Sequence, residues 1–197
     1  MNEGNIRFEM VKARHMKRFK CAVEKGEVDK AIVSLCKYIN KTSNFFTSSS
    51  CSGRILLLGI KGKGKNQAYF HRKWHSKVRF QDVWKAMHEK TSGELWFKME
   101  SFIIHIGART IKDAEKMLAI KNMAGIKRGG LIVLKPGKFM LELIGTEDIA
   151  MPVKYDDRVL VNEEFMREAV KAANKKMGEN QKRLKMFEKI VRAELKW

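Results

Sequence analysis

The apolar residues along the chain follow two alternating patterns, one with the period of a helix and one with the short runs typical of strands. Helical spacing is found in four segments before the C-terminal region: residues 5–24, 29–40, 81–88 and 110–125. Extended runs predict strands in the remaining segments: residues 45–50, 54–60, 67–72, two runs within 95–107, and a hairpin over 130–145. A long basic helix begins at Asn162 and reaches Trp197, and we expect Gly178 to interrupt it.

Helix caps and the order of the predicted helices and strands indicate the fold class. Thr110 and Asp113 have the spacing of a capping box, and Gly125 is placed to end the helix that they begin. No Gly-x-Gly-x-x-Gly loop follows a predicted strand and regular strand–helix–strand repeats are missing, which excludes the regular Rossmann pattern. We therefore predict an α/β (α+β) fold with a mixed sheet flanked by helices. It forms a single domain over 1–197, in which 162–197 is a basic helical segment.

Composition narrows the class of protein. At 197 residues and 44% hydrophobic content, the chain is long enough to bury a sizeable core. It has no apolar run long enough for a membrane span and no secretory signal, so we expect a cytoplasmic protein without a membrane partner. Cys21, Cys36 and Cys51 lack any CxxC spacing and are expected to be reduced thiols. We expect no metal site, because His71 and His75 have no third ligand.

Charge indicates the kind of partner. The chain has 41 Lys and Arg against 22 Asp and Glu, a formal net charge of +19, and such an excess attracts polyanions. Seven basic residues and no acidic one lie between Lys61 and Arg79, interleaved with aromatic residues. Cations for phosphates beside aromatics for unstacked bases are typical of proteins that bind single-stranded or looped RNA. The residues expected to contact RNA are Lys61, Lys63, Lys65, Arg72, Lys73 and Trp74.

The segment GIKGKGKN, residues 59–66, is close to a phosphate-binding loop and follows a predicted strand. However, Asn66 replaces the hydroxyl that would hold magnesium, and the following residues QAYFHRKWH do not predict the required helix. We therefore interpret the segment as a basic turn that contacts a nucleic-acid backbone, and not as a site of nucleotide hydrolysis.

Several stretches together resemble one known family. The segment GEVDKAIVSLCKYINKTSNFFTSSSCSGRI, residues 26–55, is similar to the opening of the tRNA wybutosine-synthesising protein 3 family. The later segments KWHS, MESFIIHIGAR, GIKRGGL and Ala-Asn-Lys in the last helix also resemble this family, so the similarity covers nearly the whole chain. Thr47 stands where the family pattern has a serine, which keeps the hydroxyl. Cys36-Lys37 departs further from the pattern, on a helix face expected to point away from the serine signature, TSSSCSGR at residues 47–54.

The resemblance implies an S-adenosylmethionine-dependent methyltransferase. Its substrate would be 7-(3-amino-3-carboxypropyl)-4-demethylwyosine at position 37 of tRNA-Phe, methylated on N(4). The partner would then be the anticodon loop of this tRNA and not DNA, whereas the oligomeric state stays undefined. A non-catalytic RNA-binding module associated with tRNA or the ribosome is the alternative, because it accounts equally for the charge. Binding of S-adenosylmethionine in the absence of RNA would separate the two.

Direct methyl displacement needs an aligned nucleophile and a group that accepts the proton lost by the ring nitrogen. Asp29 and His75, which the family pattern keeps, are the candidate catalytic residues. Asp29 is also suited to cap the helix that follows it.

Small donors and a planar cation characterise the candidate binding residues. The residues expected to contact cofactor or substrate are Thr47, Ser49, Ser50, Cys51, Gly53, Arg54, Glu100, His105 and Arg109. Arg54 has a fork suited to a carboxylate, either that of the cofactor or that of the substrate's aminocarboxypropyl arm. Cys51 is expected to pack, because displacement at a ring nitrogen needs no covalent enzyme intermediate.

Overall fold

The computed structural model describes residues 3–62 and 67–196. Its helices are α1 (Glu3–Glu24), α2 (Lys30–Lys41), α3 (Phe80–Met87), α4 (Ile111–Met123) and α5 (Glu163–Glu194). Its strands are β1 (Phe45–Cys51), β2 (Arg54–Ile60), β3 (Ala68–Trp74), β4 (Glu94–Glu100), β5 (Ile103–Ala108), β6 (Arg128–Lys135), β7 (Lys138–Ile144), β8 (Ile149–Tyr155) and β9 (Arg158–Val159). The chain divides into two compact units: the first has Met1–Ser52, Phe102–Thr146 and Gln181–Trp197, and the second has Gly53–Ser101 and Glu147–Asn180.

The first unit is built on a four-stranded sheet in the order β1-β5-β7-β6, in which each neighbouring pair is antiparallel. Ile104 and Leu141 face a core that α2, α4 and the end of α5 complete. Because side chains alternate along a strand, the adjacent residue Met140 faces the other side, where it packs with Phe46 and with Phe8 of α1. Both faces of this sheet therefore carry helices.

The second unit is built on a five-stranded sheet in the order β3-β2-β4-β8-β9, again with antiparallel neighbours. Ile55 and Phe97 face a core with α3 and the first part of α5. The side chain of Asn174 fixes the segment before α3: its Oδ1 accepts from the Val78 N–H at 2.9 Å and its Nδ2 donates to the Val78 oxygen at 2.8 Å. The asparagine of the Ala-Asn-Lys segment thus has a structural use here.

The α+β class without a Rossmann pattern is confirmed, and the capping box of Thr110 and Asp113 is present as predicted. The expected single mixed sheet is wrong, since the described strands form two antiparallel sheets. Only two residues join β1 to β2, yet β1 belongs to the first sheet and β2 to the second. The expected break at Gly178 is also wrong, because α5 is continuous and Met177 and Asn180 are buried beside the glycine.

Candidate functional site

The serine run of strand β1 follows Thr47, which is bound inside the first unit. Asn40 Oδ1, at the end of α2, accepts hydrogen bonds from the Thr47 N–H at 2.6 Å and from its hydroxyl at 3.2 Å. Thr47 is only 2% exposed, so its hydroxyl serves the packing of β1 against α2. Asn40 was not among the predicted site residues, although it lies in the segment of residues 26–55 that resembles the family.

A β-bulge lies in the middle of the serine run. Thr47 pairs with Ile106 and Ser50 pairs with Ile104, so Ser48 and Ser49 together lie opposite the single residue His105. Ser49 is exposed, and neither hydroxyl has a hydrogen-bond partner within residues 3–62 and 67–196. Bulges of this kind interrupt pairing and turn side chains away from the regular pattern, and they are common beside functional sites.

His105 forms a pair with a residue that the sequence analysis missed. Its Nε2 lies 2.9 Å from Glu142 Oε2, and the two residues are direct register partners on β5 and β7. Both side chains are partly buried. Glu142 is the one acidic residue in the apolar run FMLELI, and a carboxylate inside such a strand was the signal that could have found it. The bulge and this pair give the first unit hydroxyl donors, an imidazole and a carboxylate close together.

Asp29 stands at the N-cap position of α2, but its side chain makes no capping hydrogen bond. Its Oδ2 accepts instead from the Ser52 N–H at 2.8 Å and from the Ser52 hydroxyl at 3.1 Å. The carboxylate therefore fixes the residue that follows β1. This contact links the predicted catalytic residue to the serine signature within one unit.

The cysteines are not joined by disulfides, and they differ in exposure. Burial raises the pKa of the Cys36 thiol to about 11, against the opposing effect of the Ser50 and Thr47 hydroxyls. Cys36 is therefore an unreactive thiol at neutral pH. Its contact with Ser50 and Thr47 also shows that the helix face expected to point away from the serine signature lies against it. Cys51 is half-buried and pairs with Ile103, and the packing role expected for it stays a prediction.

Arg109 holds the chain segment that enters β1. Its guanidinium donates to the Ser43 oxygen at 3.0 Å and to Asn44 Oδ1 at 3.2 Å, pairs with Glu9, and lies 4.5 Å from the centroid of the Phe8 ring. The pKa of Lys12 beside it is lowered, chiefly by burial. Arg109 is thus tied to protein groups, while its role toward a ligand stays a prediction.

In the second unit, the structure brings Arg54 and Glu100 together. Arg54 Nε lies 2.8 Å from Glu100 Oε2, and Lys98 Nζ lies 2.7 Å from the other oxygen of the same carboxylate. Burial alone would raise the pKa of Glu100, but the hydrogen bonds from Lys98 and Arg54 outweigh it, so the pKa lies below its ordinary value. Gly53, just before Arg54, has a φ of +97°, a conformation that other residues rarely adopt.

The residues expected to bind RNA differ in their surroundings. Lys73 is exposed, with Nζ 5.6 Å from the Phe70 centroid, and Lys61 Nζ lies 5.0 Å from the Tyr69 centroid. Arg72 is bound by both oxygens of Glu89. Trp74 packs against the core of the second unit. Lys63 and Lys65 lie outside the described residues.

The two histidines of this segment also differ. His71 Nε2 lies 2.9 Å from the Ala86 oxygen and 3.1 Å from Glu89 Oε2, so its ring is held by α3 and the residues after it. His75, the second predicted catalytic residue, follows the end of β3 and is half-buried. None of the helices in residues 3–62 and 67–196 is long and apolar enough to cross a membrane.

Comparison with known proteins identifies the family. The family model described as Methyltransferase TYW3 matches residues 10–193. The chain therefore belongs to this methyltransferase family, and its predicted identity as an enzyme is confirmed. The family resemblance inferred from the sequence is confirmed by the same match.

Named relatives and a solved structure support this assignment. A protein of Pyrococcus horikoshii called tRNA(Phe) 7-((3-amino-3-carboxypropyl)-4-demethylwyosine(37)-N(4))-methyltransferase 1 is 34% identical over 94% of this chain and 95% of its own length. The mouse tRNA wybutosine-synthesizing protein 3 homolog is 35% identical over 87% of this chain and 68% of its own. The solved PH1069 protein of Pyrococcus horikoshii has a TM-score of 0.90 at 33% identity and covers 96% of both chains.

Proposed function

We propose that this chain transfers a methyl group from S-adenosylmethionine to N(4) of 7-(3-amino-3-carboxypropyl)-4-demethylwyosine at position 37 of tRNA-Phe. The observation that carries the proposal is the family match over residues 10–193, together with relatives named for this reaction. A tRNA substrate agrees with the cytoplasmic location expected from the sequence, and the site of modification makes the anticodon loop the part of the tRNA that must reach the enzyme.

The polar groups around β1 fit the methyl donor. S-adenosylmethionine carries a carboxylate, an ammonium group and ribose hydroxyls, and these need small donors and at least one acceptor. Ser48 and Ser49 at the bulge supply hydroxyl donors without partners among the described residues, and Glu142 supplies an acceptor. When bound, S-adenosylmethionine supplies an electrophilic methyl group. In this proposal Ser49, Ser50 and the Cys51 backbone hold the donor.

The chain's own residues would position the target nitrogen and remove its proton. Asp29 is held in place by Ser52, and His75 follows the basic strand β3, so either can serve as the proton acceptor. Arg54 already binds the Glu100 carboxylate, so a ligand carboxylate would have to share its guanidinium with that residue. Lys61, Lys63, Lys65, Arg72 and Lys73 would contact tRNA phosphates.

Transfer of labelled methyl from S-adenosylmethionine to tRNA from a strain lacking this gene tests the proposal. We expect incorporation into the parent substrate and none into tRNA that already carries the modification. The absence of transfer, with the protein folded, would contradict the proposed reaction. The non-catalytic alternative also predicts no thermal stabilisation by S-adenosylmethionine without RNA, whereas a methyltransferase is stabilised by RT ln(1 + [L]/Kd).

A matched pair of variants tests the serine site. Ser49→Ala combined with Ser50→Ala should weaken S-adenosylmethionine binding while the melting temperature is kept, because Ser49 is exposed and Ser50 half-buried. Ser43→Ala is the control, since this exposed serine lies before β1. Equal cofactor affinity in the double variant and the control would remove the serines from the site.

A further inference from the structure

The sheet of the second unit has a face that its core does not use. Ile55 and Leu57 of β2 and Phe97 of β4 face the core, so the residues between them face the opposite side. Register places two rows of residues on this second face. The aromatic row consists of Phe70, Leu58, Trp96 and Pro152, and the lysine row consists of Lys73, Leu56, Lys98 and Ala150.

The aromatic row is partly open to solvent. Phe70 is 48% exposed, Pro152 is exposed, and Leu58 and Trp96 are half-buried. Adjacent strands are about 4.8 Å apart, so Phe70 and Trp96, which are two strands apart, are separated by about 10 Å. The Trp96 indole N–H donates to Glu94 at 2.7 Å, which fixes the ring. The row therefore presents two aromatic side chains with an aliphatic residue between them.

The lysine row supplies charge beside the rings. Lys73 is exposed and, among the residues that the structure describes, it has no carboxylate partner. Lys98 and Arg54 share the carboxylate of Glu100, and Arg54 lies 4.6 Å from the Phe70 centroid. The face thus combines the cation of Lys73 and stacking surfaces with carboxylates that can accept hydrogen bonds from base amino groups.

We infer that this face binds unpaired RNA nucleotides, with bases stacked on Phe70 and Trp96 and a phosphate at Lys73. A base has a π-face for a ring, amino groups for Glu94 or Glu100, and a phosphate within reach of the neighbouring row. In a paired duplex the faces of the bases are stacked on one another, so they are not accessible to the aromatic row. The inference rests on the proposed function, because the anticodon loop provides unpaired nucleotides around position 37.

The structure changes which aromatic residues take this role. The sequence pattern indicated Trp74, but Trp74 packs against the core of the second unit, and the Tyr69 ring lies where a Cβ on Gly59 would meet it at 2.3 Å. Phe70 is the exposed member of that segment, and Trp96 joins it from β4. That Phe70 and Trp96 lie in one row follows from the strand register and could not be predicted from the sequence.

The test compares Phe70→Leu, which keeps apolar bulk and removes the ring, with Phe165→Leu as the control. Phe165 is 52% exposed and belongs to the second unit, on α5. The probes are an unmodified anticodon stem-loop of tRNA-Phe and a fully paired RNA duplex of equal length, titrated at one salt concentration. We expect Phe70→Leu to weaken stem-loop binding by roughly 10-fold and leave duplex binding unchanged, since stacking on an aromatic residue contributes that much per base.

Equal stem-loop affinity for Phe70→Leu and the parent would overturn the inference, as would equal losses for stem-loop and duplex. Stabilisation by S-adenosylmethionine is measured in parallel, because it reports the proposed function separately. A protein that shows no such stabilisation but loses stem-loop affinity in Phe70→Leu would keep this inference and lose the methyltransferase proposal.

Discussion

β1 of the first unit carries the serine run and β3 of the second carries basic and aromatic residues, and the two strands differ in how far these side chains are buried. Around β1, Thr47 is bound by Asn40 and Ser52 is bound by Asp29, with both Thr47 and Ser52 2% exposed. On β3, Lys73 is exposed and Phe70 is 48% exposed. The two ends of the serine run, Thr47 and Ser52, are therefore built into the protein, whereas Phe70 and Lys73 of the basic and aromatic run lie at its surface.

This difference has an energetic consequence. A buried polar group that loses its partner costs about 1–3 kcal/mol, whereas an exposed ion pair contributes about 0–1 kcal/mol. We therefore expect changes that remove the buried hydrogen bonds of Thr47 or Ser52 to lower the free energy of unfolding. Changes on the second face of the other sheet should alter binding with little loss of stability.

The largest effect is expected at Gly107 of β5. A Cβ at this position would lie 2.1 Å from the ring of Phe46, which is completely buried, so Gly107→Ala forces the ring to move. We expect a loss of about 3 kcal/mol in the free energy of unfolding, measured by urea denaturation.

Gly130→Ala on β6 is the matched control for Gly107→Ala. Gly130 belongs to the same sheet, and nothing lies within 4 Å of an added Cβ. Its free energy of unfolding should change by less than about 0.5 kcal/mol. If both variants lose the same stability, the close approach of Phe46 is not what requires a glycine at position 107.

The next effect is expected at Asp29. Asp29→Ala leaves the buried Ser52 N–H without its acceptor and should cost about 2 kcal/mol, whereas Asp29→Asn keeps an acceptor oxygen and should cost less. If the carboxylate also accepts the proton, both variants lose methyl transfer by roughly 100-fold. Activity close to the parent in Asp29→Asn would leave Asp29 with the structural role alone and direct attention to His75.

Local sequence patterns predicted the helices and most strands, because period and caps depend on near neighbours. Strand β8 was missed because Pro152 and Lys154 interrupt its apolar alternation. The structure accommodates them with a register shift beside Trp96 and a hydrogen bond from Lys154 Nζ to the Glu89 oxygen at 2.7 Å. The division into two sheets was also out of reach, since pairs such as Phe97 with Met151 join residues far apart in sequence.

The candidate site shows the same limit. The serine signature and Asp29 were found from residue type and order, and the structure joins them through Ser52. Glu142 and Asn40 were missed because their roles depend on strand and helix neighbours that are distant in sequence. The predicted break at Gly178 is wrong because the cost of a helical glycine, about 1 kcal/mol, is outweighed here by the burial of its neighbours Met177 and Asn180 in the same helix.

A pH effect is expected from Cys36, behind β1. Its pKa is raised by burial to about 11, above the unfolded value of 9.0, so the folded state keeps the proton when the unfolded state has lost it. The contribution of Cys36 to the free energy of unfolding is therefore fully present below pH 9 and is lost as the pH rises toward 11. At pH 10 the loss is about 1.4 kcal/mol. Urea denaturation between pH 8 and pH 10 should show that the parent loses this free energy of unfolding and that Cys36→Ala does not. The same dependence on pH in both proteins would contradict the effect of burial on the Cys36 pKa.

The smallest effect is expected at Glu100, on the second face of the other sheet. Its pKa is lowered because the hydrogen bonds from Lys98 and Arg54 outweigh burial, so its stabilising contribution is present above the unfolded value of 4.5 and is lost as the pH falls below it. The side chains involved are about 30% exposed, and solvent screening limits that contribution to less than about 1 kcal/mol. Glu100→Gln should therefore shift the urea midpoint only slightly at pH 7, and its curve should meet that of the parent near pH 3. A loss of free energy of unfolding as large as that in Asp29→Ala would show that the second face of this sheet stabilises the fold as strongly as the buried groups around β1. The contrast between the two regions would then be wrong.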